Sequence, residues 1–380
     1  MKTLYKCLLL AGLLAIYCSS CEMAVTEEVY IIDNAAFGIS SDRTNARATN
    51  AGINTAIAKA KKDGYNVVKL TKGEYLLSAG RDGLGYANQS GIYVPSFITL
   101  DLTDASIYME PNHYTGYTLI RLNMVEDVTI IGGHLIGDRK EHDYTTIEHT
   151  HEFGYGIAIL GSKNVTIRDM NIEQMTGDAI VIGGYAYIND RHRSRDVQIL
   201  NCDLGHCRRQ GISMGHAQNV EIAYNKIHHI GLLEDGIDGT APGMGIDIEP
   251  AGGEGWNERV DRVNIHHNEF GYTAVYGVCI VHRTSTDIEV ADNIFQGVNN
   301  VMPGGILVDW GAERIRVVRN TLRDCTMRAR IAVDVYMPVE GPNKNILEPG
   351  PDWPWYRWWA ANDSEQTGYV TETDNLSGMI

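Results

Sequence analysis

Short segments that alternate apolar and polar residues recur along the chain from about residue 90. Gly156-Ile-Ala-Ile-Leu160, Ala179-Ile-Val-Ile-Gly183, Gly211-Ile-Ser-Met-Gly215, Gly245-Ile-Asp-Ile-Glu249, Val278-Cys-Ile-Val-His282 and Gly305-Ile-Leu-Val-Asp309 each set two apolar residues on one strand face. A second strand follows each: Val165-Thr-Ile, Val197-Gln-Ile, Val220-Glu-Ile, Val263-Asn-Ile, Ile288-Glu-Val and Ile315-Arg-Val. An asparagine then recurs in one register, at Asn225, Asn268, Asn293 and Asn320. Cys202 and Met170 hold that place on earlier repeats. Stacked asparagines hydrogen-bond above and below and tolerate left-handed backbone. Units of about 22 to 34 residues with two or three short strands cannot bury a face alone, so they must stack.

The ends depart from this pattern. Val29 to Ile32 reads as a strand and Thr44 to Lys62 as a helix, with Ile53, Ile57 and Ala60 on one face and Gly64 as the stop. Asn66 to Leu77 reads as two strands around Lys72-Gly73. Residues 336–380 are richer in Pro, Gly and Asn, and four tryptophans fall between Trp353 and Trp359. A cap over the last repeat is the favoured reading of this tail, with aromatic platforms for sugar rings as the alternative.

This pattern resembles the right-handed parallel β-helix of the pectate-lyase-like superfamily, from about residue 28 to about residue 335. Its N-terminal strand–helix–strand resembles the cap that covers the first open sheet edge in that group. Gly137-Asp-Arg-Lys-Glu-His142 with His151-Glu-Phe-Gly154 resembles signatures of carbohydrate-active β-helix proteins and tailspike-like depolymerases. So does Arg208-Arg-Gln-Gly-Ile212 with Gly239-Thr-Ala-Pro242 and Gly245-Ile-Asp-Ile-Glu-Pro250. The expected fold is all-β, a single-stranded parallel β-helix with a short α-helical N-terminal cap. The expected divisions are 1–21 signal, 22–90 tether and cap, 91–335 β-helix and 336–380 tail.

Composition narrows the compartment and partners. Forty glycines against ten prolines, with no collagen period, indicate many tight turns. A formal charge of −16 disfavours nucleic acid and weakly disfavours a polyanionic glycan. Lys2 and Lys6, the apolar run Leu8 to Tyr17 and the small residues Ser19 and Ser20 read as an export signal. The stretch resembles a bacterial lipoprotein signal with Cys21 as the lipidated residue, although Cys18 stands where an aliphatic residue is usual. The expectation is an exported chain, lipid-anchored in the cell envelope, with homo-oligomerisation open. Cys202, Cys207, Cys279 and Cys325 show no metal spacing and read as buried free thiols, Cys279 on an inward position.

Aligning the six first strands puts Leu160, Gly183, Gly215, Glu249, His282 and Asp309 in one outward column. Ala158, Val181, Ser213, Asp247, Ile280 and Leu307 form the other. Rungs about 4.8 Å apart then stack Glu249, His282 and Asp309, with Asp247 alongside and Gly183 and Gly215 as a bare floor for a sugar ring. Long insertions at 138–155, 184–195, 232–244 and 251–259 flank these strands as groove walls.

Three functions fit. A glycoside hydrolase needs a protonated and an ionised carboxyl. Glu249 is the expected acid, Asp247 or Asp309 the base, and His282 a proton holder or orienting group. A polysaccharide lyase or uronate epimerase needs a base and a carboxylate neutraliser. His282 or an arginine serves as the first, and Arg208, Arg209, Arg283 or calcium on Asp247 and Glu249 as the second. A non-catalytic glycan-binding β-helix is the third reading. Arg208, Arg209, Gln210, Asp178, Arg283, His151, Glu152, Arg139 and His142 are the expected substrate contacts. Glu148, His149, His151 and Glu152 have metal-like spacing but read first as a hydrogen-bonded wall. His228-His229 and His266-His267 read as turn or surface residues. No metal is assigned, no other cofactor is required, and no nucleotide motif appears.

Overall fold

The computed structural model describes residues 28–80, 91–146, 150–185, 192–253, 256–297, 304–348 and 370–371. Cys21 and its signal segment, Glu148, His149 and the Trp353–Trp359 run lie outside the described residues.

The chain coils through three parallel sheets, one strand to each per turn. Among the described residues sheet one has nine strands, sheet two twelve and sheet three ten. A representative coil runs Gln210–Met214 in sheet one, Ala217–Ala223 in sheet two and Lys226–Ile230 in sheet three, then returns to sheet one at Ile246–Ile248. The sequence pattern anticipated the first two strands of six coils, one of the first strands being out of register by one residue. The third strands are mostly three to five residues long, too short for a clear period.

Alternation places like residues above like. Ile180, Ile212, Ile246, Val278 and Ile306 pair in register through sheet one and are all 0% exposed. Val165, Val197, Val220, Val263, Ile288 and Ile315 do the same through sheet two. Phe270 and Phe295 stack at 4.6 Å from sheet three. The hydrophobic effect thus acts along one continuous core, and no single coil could bury its own face.

The glycine that opens many sheet-one strands has a steric cause. A Cβ on Gly211 would lie 2.5 Å from the Gly245 carbonyl oxygen, and one on Gly245 would lie 2.5 Å from that of Gly277. Adjacent coils therefore approach too closely there for a side chain.

The asparagine ladder is present and extends one rung further, to Asn345. Each Nδ2 of Asn225, Asn268, Asn293 and Asn320 donates to the next Oδ1 at 2.9–3.0 Å. Left-handed backbone, however, belongs to the preceding residues Tyr224, His267, Asp292 and Arg319. At the N-terminal end the helix spans Ala46–Lys62, two residues shorter than expected because Asn45 is itself left-handed. Its buried face, Ile53, Ala56, Ile57 and Ala60, packs on the strand Gly73–Leu77.

Candidate functional site

In the strand Ile246–Ile248, both isoleucines enter the core and Asp247 faces outward. Asp247 is nevertheless only 3% exposed. Its rung neighbours are Ser213 and Cys279. Gln210 Nε2 donates to Asp247 Oδ2 at 2.5 Å. Burial pushes the Asp247 carboxyl up to about 7, and the nearby Glu249 charge adds to the shift. Glu249 itself is exposed.

A second buried acid lies two rungs back. Asp178 is 0% exposed, accepts from Arg209 Nη1 at 3.0 and 3.3 Å, and accepts from Ser213 Oγ at 2.8 Å. Burial raises it to about 6, against the opposing charge of Arg209. Arg209 Nη1 also donates to Gln210 Oε1 at 3.2 Å, and Glu152 lies 3.4 Å from Arg209 Nε. Asp178, Arg209, Gln210 and Asp247 thus form one hydrogen-bonded chain across three rungs. Burial is the main cause of both raised carboxyls, and neighbouring acids, Glu249 for Asp247 and Glu152 for Asp178, add to it.

The structure separates other residues that the pattern grouped. Ile248 pairs with Ile280, and Ile280 with Val308, so Val281 follows Glu249 and precedes Asp309 in the column. The expected Glu249–His282–Asp309 stack is therefore corrected. Gly277, rather than Val278, takes the place of Gly245, because the close approach of coils demands glycine there. His282 sits one residue beyond, in left-handed backbone, edge-on to Trp310 at 6.0 Å. The same slip moves Cys279 to the outer face, beside Asp247, where the inward position belongs to Val278 and Ile280. All four described cysteines are buried and free. Asp309 is 3% exposed, accepts from the Trp310 backbone N–H at 2.8 Å and lies 3.6 Å from Arg330 Nε.

Arg139 is 1% exposed and donates to the carbonyls of His206 at 2.8 Å and Leu232 at 2.5 Å. It ties the 232–244 loop to the coil, which corrects its expected place on the groove surface. His142 and His151 are also buried. His142 Nδ1 meets Asp138 Oδ2 at 2.7 Å and its Nε2 meets His151 Nδ1 at 2.8 Å, so the pair forms the inside of a loop wall. Arg208 donates to the Thr150 carbonyl at 2.6 Å and the Asp238 carbonyl at 3.1 Å, and lies over Tyr144. The signature stretches at 137–154, 208–212 and 239–250 thus do converge. Arg283 is exposed beside Gly311, away from these loops.

Sequence reading missed Glu258. A Cβ on Gly215 would meet its carboxylate at 3.1 Å, so Glu258 covers that part of the supposed floor, while Gly183 faces only Leu160. Glu258 is pushed upward by burial and accepts from the Ala251 N–H at 2.7 Å. Its place in the flanking 251–259 insertion was the available signal. A separate groove of about 1000 Å³ runs along sheet two. Arg314–Asp287 and Arg316–Glu289 pairs line it. Asp178 and Asp247 are raised by burial, so the sheet-one face is the stronger chemical candidate.

The three-sheet coil with loops gathered over one sheet defines a class, and the chain belongs to the family described as "Right handed beta helix region", matched over residues 107–322. It is 31% identical over 240 residues to the SPbeta prophage-derived uncharacterized protein YorA of Bacillus subtilis (strain 168). That match covers 60% of this chain and 39% of the relative, so the chain spans well under half of that protein's length. Among solved structures it is similar to the Family 28 exopolygalacturonase of Yersinia enterocolitica. There the TM-score is 0.57 at 13% identity, covering 92% of this chain and 69% of that one. PfbA, a surface adhesin of Streptococcus pneumoniae, gives a TM-score of 0.54 at 14% identity, covering 84% and 85%. At these identities the two likenesses are of fold alone.

Proposed function

We propose that the chain acts on a polysaccharide or oligosaccharide as an exported glycoside hydrolase, anchored through Cys21. Asp247 is the proton donor and Glu249 the general base. The observation that carries this reading is the contrast between them: a buried carboxyl raised to about 7 beside an exposed carboxyl on the same strand face. These roles reverse the sequence-based expectation, because burial acts on Asp247 and leaves Glu249 in water. Asp247 protonates the leaving glycosidic oxygen. Glu249 takes a proton from water as that water attacks the anomeric carbon. An inverting reaction needs room for a water between the two carboxyls, roughly 6.5–9.5 Å. Arg209 and Gln210 position Asp247, and Asp178 keeps Arg209 in place. Structures of similar fold include an exopolygalacturonase and a surface adhesin, which is support for either use and no more.

The test is a glycan panel with wild type, Asp247→Asn and Glu249→Gln. Wild type should release reducing ends, and each folded variant should lose about 10²–10⁴-fold in turnover. Full activity in either variant sinks the assignment. Product absorbing near ~235 nm, the mark of base-catalysed elimination, would instead establish lyase chemistry, with calcium then to be tested on Asp247 and Glu249. Binding without turnover would establish the adhesin-like reading.

A further inference from the structure

On the outer side of sheet three, away from the acids, His206, His228 and His229 come together. One ring nitrogen from each lies within 4.8 Å of the others. His228 Nδ1 and His229 Nδ1 face each other at 2.8 Å. Two neutral imidazoles can share one proton in that geometry, and a cation can replace it. Zinc–nitrogen bonds of about 2.0–2.1 Å in a tetrahedral site need the nitrogens only slightly further apart, about 3.3–3.4 Å.

The surrounding groups match what metal-bound histidines use. Asp203 Oδ1 meets His228 Nε2 at 2.7 Å, which assigns the proton to Nε2 and leaves the Nδ1 lone pair toward His229. Glu234 lies 3.1 and 3.2 Å from His206 Nδ1 and fixes that ring. Lys226 also reaches Asp203, at 3.8 Å, without entering the histidine group. His206 stacks on His229 at 4.6 Å, and His229 on Tyr272 at 4.6 Å, so His206 must turn out of the stack to aim its in-plane lone pair at a shared ion.

The fold supplies its own control. His266 and His267 repeat the pair elsewhere on the coil, with Nδ1 atoms 3.0 Å apart and Glu221 3.1 Å from His266 Nε2. There Tyr224 stacks on the second histidine, in the place His206 holds on His229. The second cluster therefore offers two nitrogens where the first offers three.

We propose that His206, His228 and His229 bind one divalent transition-metal ion of the zinc class, with Asp203 and Glu234 as orienting carboxylates. Glu234 comes from the 232–244 loop and the histidines from two adjacent coils, so the ion fastens that loop to the solenoid. The test titrates zinc into the chelator-treated full-length chain by calorimetry, with melting temperature as a second readout. One equivalent should bind at micromolar affinity or tighter, as about three imidazole ligands imply, and should raise the melting temperature by mass action. His206→Tyr should weaken binding at least about 100-fold and cancel the thermal shift. Tyrosine is already accepted in left-handed backbone at Tyr224 and Tyr272, so the variant should fold. His267→Ala should leave binding intact, and Tyr224→His should create a second equivalent. Zinc binding that is absent, non-saturable or unchanged by His206→Tyr overturns the proposal.

Discussion

Burial drives the Asp247 carboxyl up to about 7 and Asp178 to about 6, from an ordinary 3.8. Both residues are visible in the sequence, and the outward facing of Asp247 follows from strand alternation. Their protonation is not visible, because it comes from burial by neighbouring coils and loops, which outweighs the opposing charge of Arg209. Two pH effects follow. Turnover requires Asp247 protonated, so the rate should fall about tenfold per pH unit above about 7, as a pH–rate profile will show. Stability shares the direction. Between about pH 4 and about 7, the folded chain holds protons the unfolded chain has released, so stability falls as pH rises through that window. Melting temperatures measured from pH 5 to 8 should decline, and Asp247→Asn should flatten the decline while removing activity. A pH-independent melting temperature in wild type would contradict the burial argument.

At the scale of elements, the ladder and the register had different legibility. Asn225, Asn268, Asn293 and Asn320 recur at one place after the later second strands, so the ladder could be read by alignment. Asn268 shows what it holds: its Nδ2 donates to the Ile222 carbonyl and to Asn293 Oδ1, and its Oδ1 accepts from the Asn225 N–H at 2.9 Å. Asn268→Ala leaves several buried partners unmatched, at roughly 1–3 kcal/mol each, and should lower the urea midpoint strongly. Removing Arg316 from its exposed pair with Glu289 should change stability by under about 1 kcal/mol. Equal midpoint losses in the two variants would refute the ladder's role. The sheet-one strand Tyr276–Ile280 was misread by one residue, because Val278-Cys-Ile-Val alternates no better in one register than the next. Only the contact between Gly245 and the Gly277 carbonyl separates the two.

For the whole molecule, charge sets the long-range behaviour. A net −16 repels a polyuronate at a distance and leaves a neutral glycan unaffected. Activity on a uronate polymer should therefore rise with salt up to a few hundred millimolar (about one Debye length near 8 Å at physiological strength), while activity on a neutral polymer should stay flat. A fall with salt on the acidic polymer would reveal a local basic path that the net charge hides. The sequence by itself determined that the chain must stack: alternating pairs repeated at short intervals bury their apolar face only against their own neighbours. It also determined which residues face outward on most coils, since alternation is a local property of one strand. The tertiary structure alone decided the register of the strand Tyr276–Ile280, the capture of Arg139 by a distant loop, the cover of Glu258 over Gly215 and the three-histidine group. Each depends on separations of a few ångströms between residues far apart in the chain, and no periodicity encodes those distances.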